Sequence, residues 1–374
     1  MPASGPSRAC ATETAPTCPP AAQLRVATYN AALGRRGPGL LLHGILGGRD
    51  TQARGAAAII AAVAPDVLLL TGIDHDHGLT ALSAFAGLIA EAGGPDYAHR
   101  FAFPPNRGVR TGRDMTGDGR SGTPDDTQGY GPFAGSGAMA ILSTLPVMDG
   151  RARDFSAFLW RDLPGALIPE QGGRPFPDAG VFAIQRLSTT GHWDVPVRLP
   201  DGTALHLLAF HATPPVFGGP HDRNRRRNHD EVRFWSLFLD GALPMPPPEG
   251  PVVVLGDANL DPFDGDGMHA AMRALLAHPR LQDPAPASAG AAAAVGPRDA
   301  GHRGNPALDT TLWDGPRQPG NLRVDYVLPA AGLTVLDAGV FWPAPDDPMA
   351  ALLRDASGAE VSRHRLVWVD IALE

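Results

Sequence analysis

The segment PVVVLGDAN (residues 251–259) decides the fold, because it reads as a buried strand that ends in polar side chains. Its run of Val and Leu predicts a core strand, and Asp257 and Asn259 follow directly at the exit. Three further predicted strands carry a polar side chain at one end, and these side chains are Asn30, His211 and His364. The repeated pattern predicts that polar groups collect where buried strands end.

Asp325 lies inside LRVDYVLP (residues 322–329), a segment that otherwise has the composition of a buried strand. A buried carboxylate without a partner is costly, and burial penalises its ionised form. Histidine is a natural partner, because the carboxylate fixes the tautomer of the ring and favours the imidazolium. A single Asp or His at a strand end is usually a cap or a surface group, whereas the recurrence of such residues here favours a functional site.

Strands outnumber helices along the chain, which argues against a doubly wound parallel sheet. The predicted helices cover residues 51–63, 79–91, 229–240 and 268–277. One of the many predicted strands covers residues 181–187. This order favours an α/β fold of two packed mixed sheets with helices outside. The Pro/Ala/Thr-rich residues 1–22 are predicted to be a disordered leader, and residues 23–374 to form one domain.

The composition excludes some classes of function. The 374 residues include 31 basic ones, all Arg, and 39 acidic ones, for a net charge of −8. This balance argues against tight, sequence-independent binding of nucleic acid, which needs a basic face. It allows a phosphate-ester substrate held by a metal ion and a few Arg residues. No apolar run reaches the roughly 18 residues of a membrane helix, so we expect no membrane span, and we expect a monomer.

Two cysteines, Cys10 and Cys18, lie in the leader. They are close enough in sequence to close a small disulfide loop in an oxidising compartment. The alternative is a pair of free thiols in a flexible tail. The cysteines therefore suggest a secreted or periplasmic protein, although no signal peptide is visible in the sequence.

Six segments resemble the endonuclease/exonuclease/phosphatase superfamily, and they occur in the order typical of it. They are VATYN (26–30), PDVLLL (65–70), LLAFHATPP (207–215), VVVLGDANLDP (253–262), RVDYVLP (323–329) and SRHRLVWVDI (362–371). The resemblance implies a deoxyribonuclease I-like four-layer α/β sandwich, with the active site where strands of both sheets end. It also implies a nuclease or phosphatase that hydrolyses a phosphodiester or phosphomonoester with the help of Mg²⁺ or another divalent cation.

The resemblance assigns the proton chemistry to two histidines. His364 would act on the attacking water or contact the scissile phosphate, and Asp325 would orient and charge it. His211 would contact the phosphate or protonate the leaving group. Phosphoester hydrolysis needs a nucleophile, stabilisation of developing charge and protonation of the leaving group, which such groups and a metal ion can supply.

The remaining family positions match only in part. Asp257 and Asn259 would hold the nucleophile and the phosphate, and Asn30 would bond to the metal's shell or to Asp257. The family normally has a metal-binding Glu where this chain has Gly72, and an Asp where it has Arg363. Both main magnesium carboxylates are therefore absent from their usual positions.

Three explanations of these departures stay open. The metal could persist on Asp74, Asp76 or Asp257, because hard cations accept many sets of oxygen ligands. Arg363 could replace the metal, because a guanidinium binds phosphate bidentately. In the third explanation the protein has lost catalysis and keeps the pocket for binding.

A second cation site is suggested by GRDMTGDGRSGTPDD (residues 112–126). Asp114, Asp118 and Asp125 fall at calcium-loop positions 1, 5 and 12, with Gly119 at position 6. Position 3 is Thr116, and position 12 is not Glu. The segment therefore predicts either a Ca²⁺ loop or a plain polar loop, and the former would suit a calcium-stabilised extracellular protein.

Overall fold

The structure is a computed structural model that describes residues 23–373. The disorder predicted for residues 1–22 and the disulfide between Cys10 and Cys18 lie outside the described residues. The secreted or periplasmic location inferred from the cysteines therefore stays a prediction. Within residues 23–373, none of the helices has the length and apolar character needed to cross a membrane.

Two mixed sheets and one small hairpin contain the strands of residues 23–373. In chain order the strands are β1 (Gln23–Asn30), β2 (Val67–Ile73), β3 (His99–Phe101), β4 (Ala138–Ser143), β5 (Arg153–Asp154), β6 (Glu170–Gln171), β7 (Arg174–Pro175), β8 (Gly191–Arg198), β9 (Ala204–His211), β10 (Val252–Asp257), β11 (Asp325–Pro329), β12 (Val335–Val340) and β13 (Val367–Ala372). The first sheet has the order β12-β13-β1-β2-β4-β3, and the second has the order β11-β10-β9-β8-β5. The pairs β1–β2 and β9–β10 are parallel, and their neighbours are antiparallel.

Helices cover the outer faces of both sheets. They are α1 (Leu40–Leu46), α2 (Thr51–Val63), α3 (Thr80–Glu91), α4 (Ala179–Phe182), α5 (Arg223–Leu239), α6 (Ala270–Leu276) and α7 (Ala289–Ala293). One core lies between the first sheet and α1, α2 and α3, and another lies between the second sheet and α5 and α6. A third core fills the space between the sheets. The predicted four-layer α/β sandwich is confirmed.

Both faces of the central strands are buried, which explains their nearly continuous apolar sequences. Val26 and Leu69 face the core between the sheets, whereas Ala27 and Leu68 face the helices. Successive side chains of a strand point to opposite faces, so a strand with two covered faces has no polar alternation.

The strand predicted over residues 181–187 is wrong. The helix α4 occupies the start of this segment, and an irregular loop follows it. Val181, Phe182 and Leu187 are apolar because they belong to the core beneath α5 and α6. A short apolar run is compatible with a buried strand or a buried helix, and periodicity alone does not separate them.

The helix predicted to begin at residue 229 begins instead at Arg223. Its polar first turns have the composition of a solvated loop, but they are partly buried. Arg227 donates to the carbonyl oxygens of Leu187 at 2.8 Å and Gln128 at 2.7 Å. These acceptors lie far away in the chain, so the sequence pattern did not reveal them.

Candidate active site

The strand register brings three predicted site residues to one edge of the second sheet. Asp257 ends β10, where it pairs with His211 at the end of β9 and with Asp325 at the start of β11. Parallel strands end at the same edge, and an antiparallel neighbour begins there, so the three side chains meet. Asn30 ends β1 of the facing sheet, and His364 lies shortly before β13.

The buried Asp325 and the half-buried His364 form a hydrogen-bonded pair. Nδ1 of His364 donates to Oδ2 of Asp325 at 2.9 Å, and the hydroxyl of Thr310 donates to the same oxygen at 2.9 Å. The other carboxylate oxygen of Asp325 is buried and has no partner among residues 23–373. Burial alone would lower the pKa of His364, but the charges of Asp325 and Asp257 outweigh burial and raise the pKa to about 9. His364 is therefore an imidazolium at neutral pH.

Asp257 is the centre of the cluster. Its Oδ2 accepts a hydrogen bond from the amide of Asn30 at 2.8 Å, and its Oδ1 accepts one from the backbone N–H of Asn259 at 2.9 Å. Nε2 of His211 lies 3.4 Å from Oδ2, and Nδ1 of His364 lies 3.9 Å from it. Burial raises the pKa of Asp257 and outweighs the opposing charge of His364. The carboxylate keeps its charge only through these donors.

The two histidines carry opposite protonation states. Burial lowers the pKa of His211 to about 4, although the charge of Asp257 opposes this shift. His211 is therefore neutral at neutral pH, and its buried Nδ1 has no partner among residues 23–373. A neutral ring suits a contact to phosphate or water better than the role of leaving-group acid.

Gly72 occupies a place that no side chain can fill without movement. The strand β2 has an irregular register between Thr71 and Ile73, and Gly72 has a φ of 72°. A Cβ atom at Gly72 would lie 2.5 Å from Oδ1 of Asn30. The backbone conformation at position 72 therefore disfavours Glu, and the Asn30 side chain occupies the space that a side chain at this position would need.

Asp74 and Asp76, which we predicted as substitute metal ligands, accept hydrogen bonds from backbone N–H groups. Asp74 accepts from Arg35 at 2.8 Å and from Gly137 at 2.9 Å. Asp76 accepts from Thr80 and Ala81, each at 2.8 Å, and so caps the first turn of α3. Their carboxylates do not converge with that of Asp257.

Within residues 23–373, one group of three ligand-type side chains lies close enough to hold a metal ion. It consists of Asp257, Asp325 and His364, whose ligand atoms lie within 4.8 Å of one another. Mg²⁺ prefers six oxygen ligands in octahedral geometry, whereas this group offers two carboxylates and one imidazole, whose Nδ1 already bonds to Asp325. Gly72 and Arg363 supply no carboxylate. The donor set therefore does not fit Mg²⁺.

The two other predicted sites are placed apart from this cluster. Arg363 is exposed, and no acidic side chain among residues 23–373 forms an ion pair with it. Asp114 accepts from the backbone N–H groups of Thr116, Gly117 and Gly119, in a local turn. Asp118 and Asp125 do not join Asp114 in a close group of ligand atoms within residues 23–373, which favours the polar loop, and the Ca²⁺ loop stays a prediction.

Sequence reasoning missed two features near the cluster, both of which involve the long loop before β4. The first is Arg107, whose guanidinium lies against Gly137. The second is a cavity of about 330 Å³ that begins at Thr213, just after His211. Its lining includes Tyr130, Phe176, His221, Arg223 and Arg227. The residues of each feature come from segments far apart in the chain, so sequence spacing does not show that they lie together.

Comparison with known proteins agrees with this fold. Residues 27–364 match the family described as the Endonuclease/Exonuclease/phosphatase family. A search of curated proteins found no match.

The chain is similar to several solved structures. An endonuclease/exonuclease/phosphatase from Beutenbergia cavernae is 19% identical, with a TM-score of 0.53 over 94% of this chain and 72% of that one. A family protein from Leptotrichia buccalis is 12% identical, with a TM-score of 0.50 over 94% of this chain and all of that one. Sphingomyelinase C from Streptomyces griseocarneus is 19% identical, with a TM-score of 0.48 over 94% of this chain and all of that one. On the strength of the match over residues 27–364, the chain belongs to the endonuclease/exonuclease/phosphatase family.

Proposed function

We propose that this protein hydrolyses a phosphoester at the ends of β9, β10 and β11. The observation that carries the proposal is the Asp325–His364 pair, 2.9 Å apart, beside Asp257. An imidazolium and a carboxylate in one cluster suit a reaction that stabilises negative charge and removes a proton. Family membership supports the same reaction class.

In this proposal each residue has a separate task. The His364 imidazolium donates a hydrogen bond to a phosphoryl oxygen, and Asp325 holds the ring and its charge. Asp257 accepts a proton from the attacking water as that water's oxygen bonds to phosphorus and the bond to the leaving oxygen breaks. The leaving oxygen departs as an anion and takes a proton from solvent water. Asn30 and Asn259 position Asp257, and neutral His211 contacts the water or the phosphate.

The cavity beside Thr213 supports a compact organic leaving group. Its aromatic lining includes the rings of Phe176 and His221, which stack 3.9 Å apart. The net charge of −8 disfavours a long polyanion, so we place a nuclease activity second to hydrolysis of a small phosphoester. Plasmid DNA offered beside small phosphoesters separates these two substrates.

The test is turnover of p-nitrophenyl phosphate, bis-p-nitrophenyl phosphate and plasmid DNA by the wild type. We expect His364→Ala to lower kcat/KM by about 100-fold or more. His43→Ala, at an exposed histidine of α1, is the control and should behave as the wild type.

Adding EDTA or Mg²⁺ to the same assay tests the predicted divalent cation. Turnover abolished by EDTA and restored by Mg²⁺ would support it. No turnover of any phosphoester by the wild type, with or without divalent ions, would overturn the proposed function. The rival reading, a binding protein without catalysis, which Gly72 and Arg363 favour, would then stand.

A further inference from the structure

Arg107 reaches the active site from the long loop between β3 and β4. Its carbonyl oxygen accepts a hydrogen bond from the backbone N–H of Gly135 at 3.3 Å, which anchors the backbone. A Cβ atom at Gly137 would lie 3.1 Å from Nε, 3.2 Å from Cζ and 3.3 Å from Nη2 of Arg107. The guanidinium therefore packs flat against a residue that leaves room for it by lacking a side chain.

The place occupied by Arg107 adjoins the position of the missing carboxylate. A Cβ atom at Gly34 would lie 3.6 Å from Oδ1 of Asp74, 3.8 Å from the carbonyl oxygen of Gly72 and 3.9 Å from Cα of Gly137. Gly34, Gly72 and Gly137 thus meet around Asp74, and Arg107 lies on the last of them. Arg107 therefore lies against the same group of glycines that includes Gly72, where the family has its metal-binding Glu.

Arg107 lacks a protein partner for its charge. Its Nε is buried without an acceptor, and within residues 23–373 its guanidinium forms neither a hydrogen bond nor an ion pair. Burial lowers the pKa of Arg107, and the charges of Asp74, Tyr130 and Asp257 oppose this shift. Its charge also helps to lower the pKa of His211. Arg107 is half-buried, its Nε has no acceptor, and its charge reaches His211 and Asp257, so its guanidinium is suited to bind an added anion.

We propose that Arg107 binds the phosphoryl group of the substrate and takes the place of the divalent cation in this chain. The inference rests on the proposed phosphoester hydrolysis. A guanidinium offers a planar fork of N–H donors that matches two phosphoryl oxygens. Together with the ring of His364 it offers N–H donors to the phosphoryl oxygens of a phosphate ester. Arg107, instead of the exposed Arg363, would then be the arginine that replaces the metal by binding phosphate.

Phosphate binding by the full-length protein in EDTA tests the assignment without relying on turnover. Isothermal titration calorimetry with inorganic phosphate should show binding by the wild type, and Arg107→Ala should weaken it by about 10-fold or more. Arg110→Ala, at an exposed arginine of the same loop, should bind phosphate as the wild type does. Arg107→Lys, which keeps the charge but loses the fork, should fall between them.

Chemical rescue gives a second readout. Guanidinium chloride at concentrations below those that unfold the protein should restore part of the turnover of Arg107→Ala, and should leave Arg110→Ala unaffected. Circular dichroism and the melting temperature of each variant establish that it is folded. Should Arg107→Ala fail to fold, Arg107→Lys and its phosphate affinity decide the question.

The outcomes separate this inference from the proposed function. Turnover that requires Mg²⁺, with normal phosphate affinity in Arg107→Ala or Arg107→Lys, would overturn the role of Arg107 and leave the hydrolase standing. Phosphate binding that depends on Arg107, without turnover of any phosphoester, would overturn the hydrolase and support the phosphate site. Metal-independent turnover that is lost in Arg107→Ala and rescued by guanidinium would support both.

Discussion

His364 owes its charge to Asp325. Its pKa of about 9 lies above the ordinary value of 6.5, because Asp325 and Asp257 outweigh the effect of burial. The imidazolium therefore adds stability that is fully present below pH 6.5 and is lost as the pH rises through about 9. Removing the charge of Asp325 leaves burial to act against the imidazolium, so the pKa of His364 should fall.

We therefore expect Asp325→Asn to lower kcat by about 100-fold and to move the alkaline decline of kcat/KM, near pH 9 in the wild type, to lower pH. NMR titration of the ring nitrogens measures the same shift directly. Asp337→Asn, at an exposed carboxylate of β12, is the control. An unchanged alkaline limb in Asp325→Asn would contradict the assigned partnership.

Gly72 is required by the backbone and by Asn30. A substituted residue would be held at a φ of 72° with its Cβ 2.5 Å from Oδ1 of Asn30. We expect Gly72→Ala to cost about 1–3 kcal/mol of unfolding free energy and to disturb the hydrogen bond between Asn30 and Asp257. Urea denaturation measures the first effect, and turnover measures the second.

Gly87→Ala is the control for this substitution. Gly87 lies on α3 with open space around it, and alanine there should raise the unfolding free energy by about 0.5–1 kcal/mol. Full stability in Gly72→Ala would show that the backbone relaxes more easily than the geometry indicates. Gly72→Glu meets the same obstacle, so it should not recreate a metal site by itself.

At the scale of elements, the turn between β2 and α3 explains the acidic residues after β2. Both oxygens of Asp76 accept backbone N–H groups from the first turn of α3. Asp74 ties the same segment to Arg35 and Gly137. Their side chains organise the edge of the first sheet around the site, and this role accounts for their position after a core strand.

We expect Asp76→Ala to lower the unfolding free energy by about 0.5–2 kcal/mol and to leave kcat/KM unchanged, because the helix loses its cap and the cluster keeps its residues. Chemical denaturation measures the unfolding free energy, and the phosphoester assay measures kcat/KM. Asp96→Ala, at an exposed carboxylate, should change neither. A large loss of turnover without a loss of stability would return Asp76 to the role of metal ligand.

At the scale of the whole molecule, two facing sheets bring together strand ends that lie far apart in sequence. Asn30 from the first sheet donates to Asp257 of the second at 2.8 Å. The last strand, β13, pairs with the first strand, β1, from Gln23–Ala372 to Thr28–Val367. His364 is thereby carried to the opening between the sheets. The site depends on the complete sandwich, since each sheet alone holds only part of it.

Calcium should not stabilise this molecule. A ligand present at a concentration of a hundred times its Kd for the folded state would raise the unfolding free energy by about 2.7 kcal/mol, which is readily seen as a rise in Tm. Because Asp114, Asp118 and Asp125 do not converge, we expect Ca²⁺ to shift Tm by less than about 1 °C. A larger rise that disappears in Asp114→Ala would restore the predicted Ca²⁺ loop.

The sequence by itself determined the architecture and most of the residues that meet in the cluster. Strands with two buried faces must be continuously apolar, and polar residues directly after them can only lie at a sheet edge. This pattern and the family resemblance together predicted Asp257, Asp325 and His364. The start of a helix, as at residues 223–229, and the structure of a short apolar run, as at residues 181–187, could not be predicted from the sequence. The polar or apolar character of these segments depends on partners that are distant in the chain.

Only the tertiary structure decided what the altered positions mean. In the structure, Asp74 and Asp76 accept hydrogen bonds from backbone N–H groups, and Gly72 has a left-handed backbone conformation. Arg363 is exposed to solvent, and Arg107 packs against Gly137 near the site. The physical reason is that hydrogen-bond geometry, charge environment and free space are set by distances between segments far apart in the chain. Sequence spacing records none of these distances.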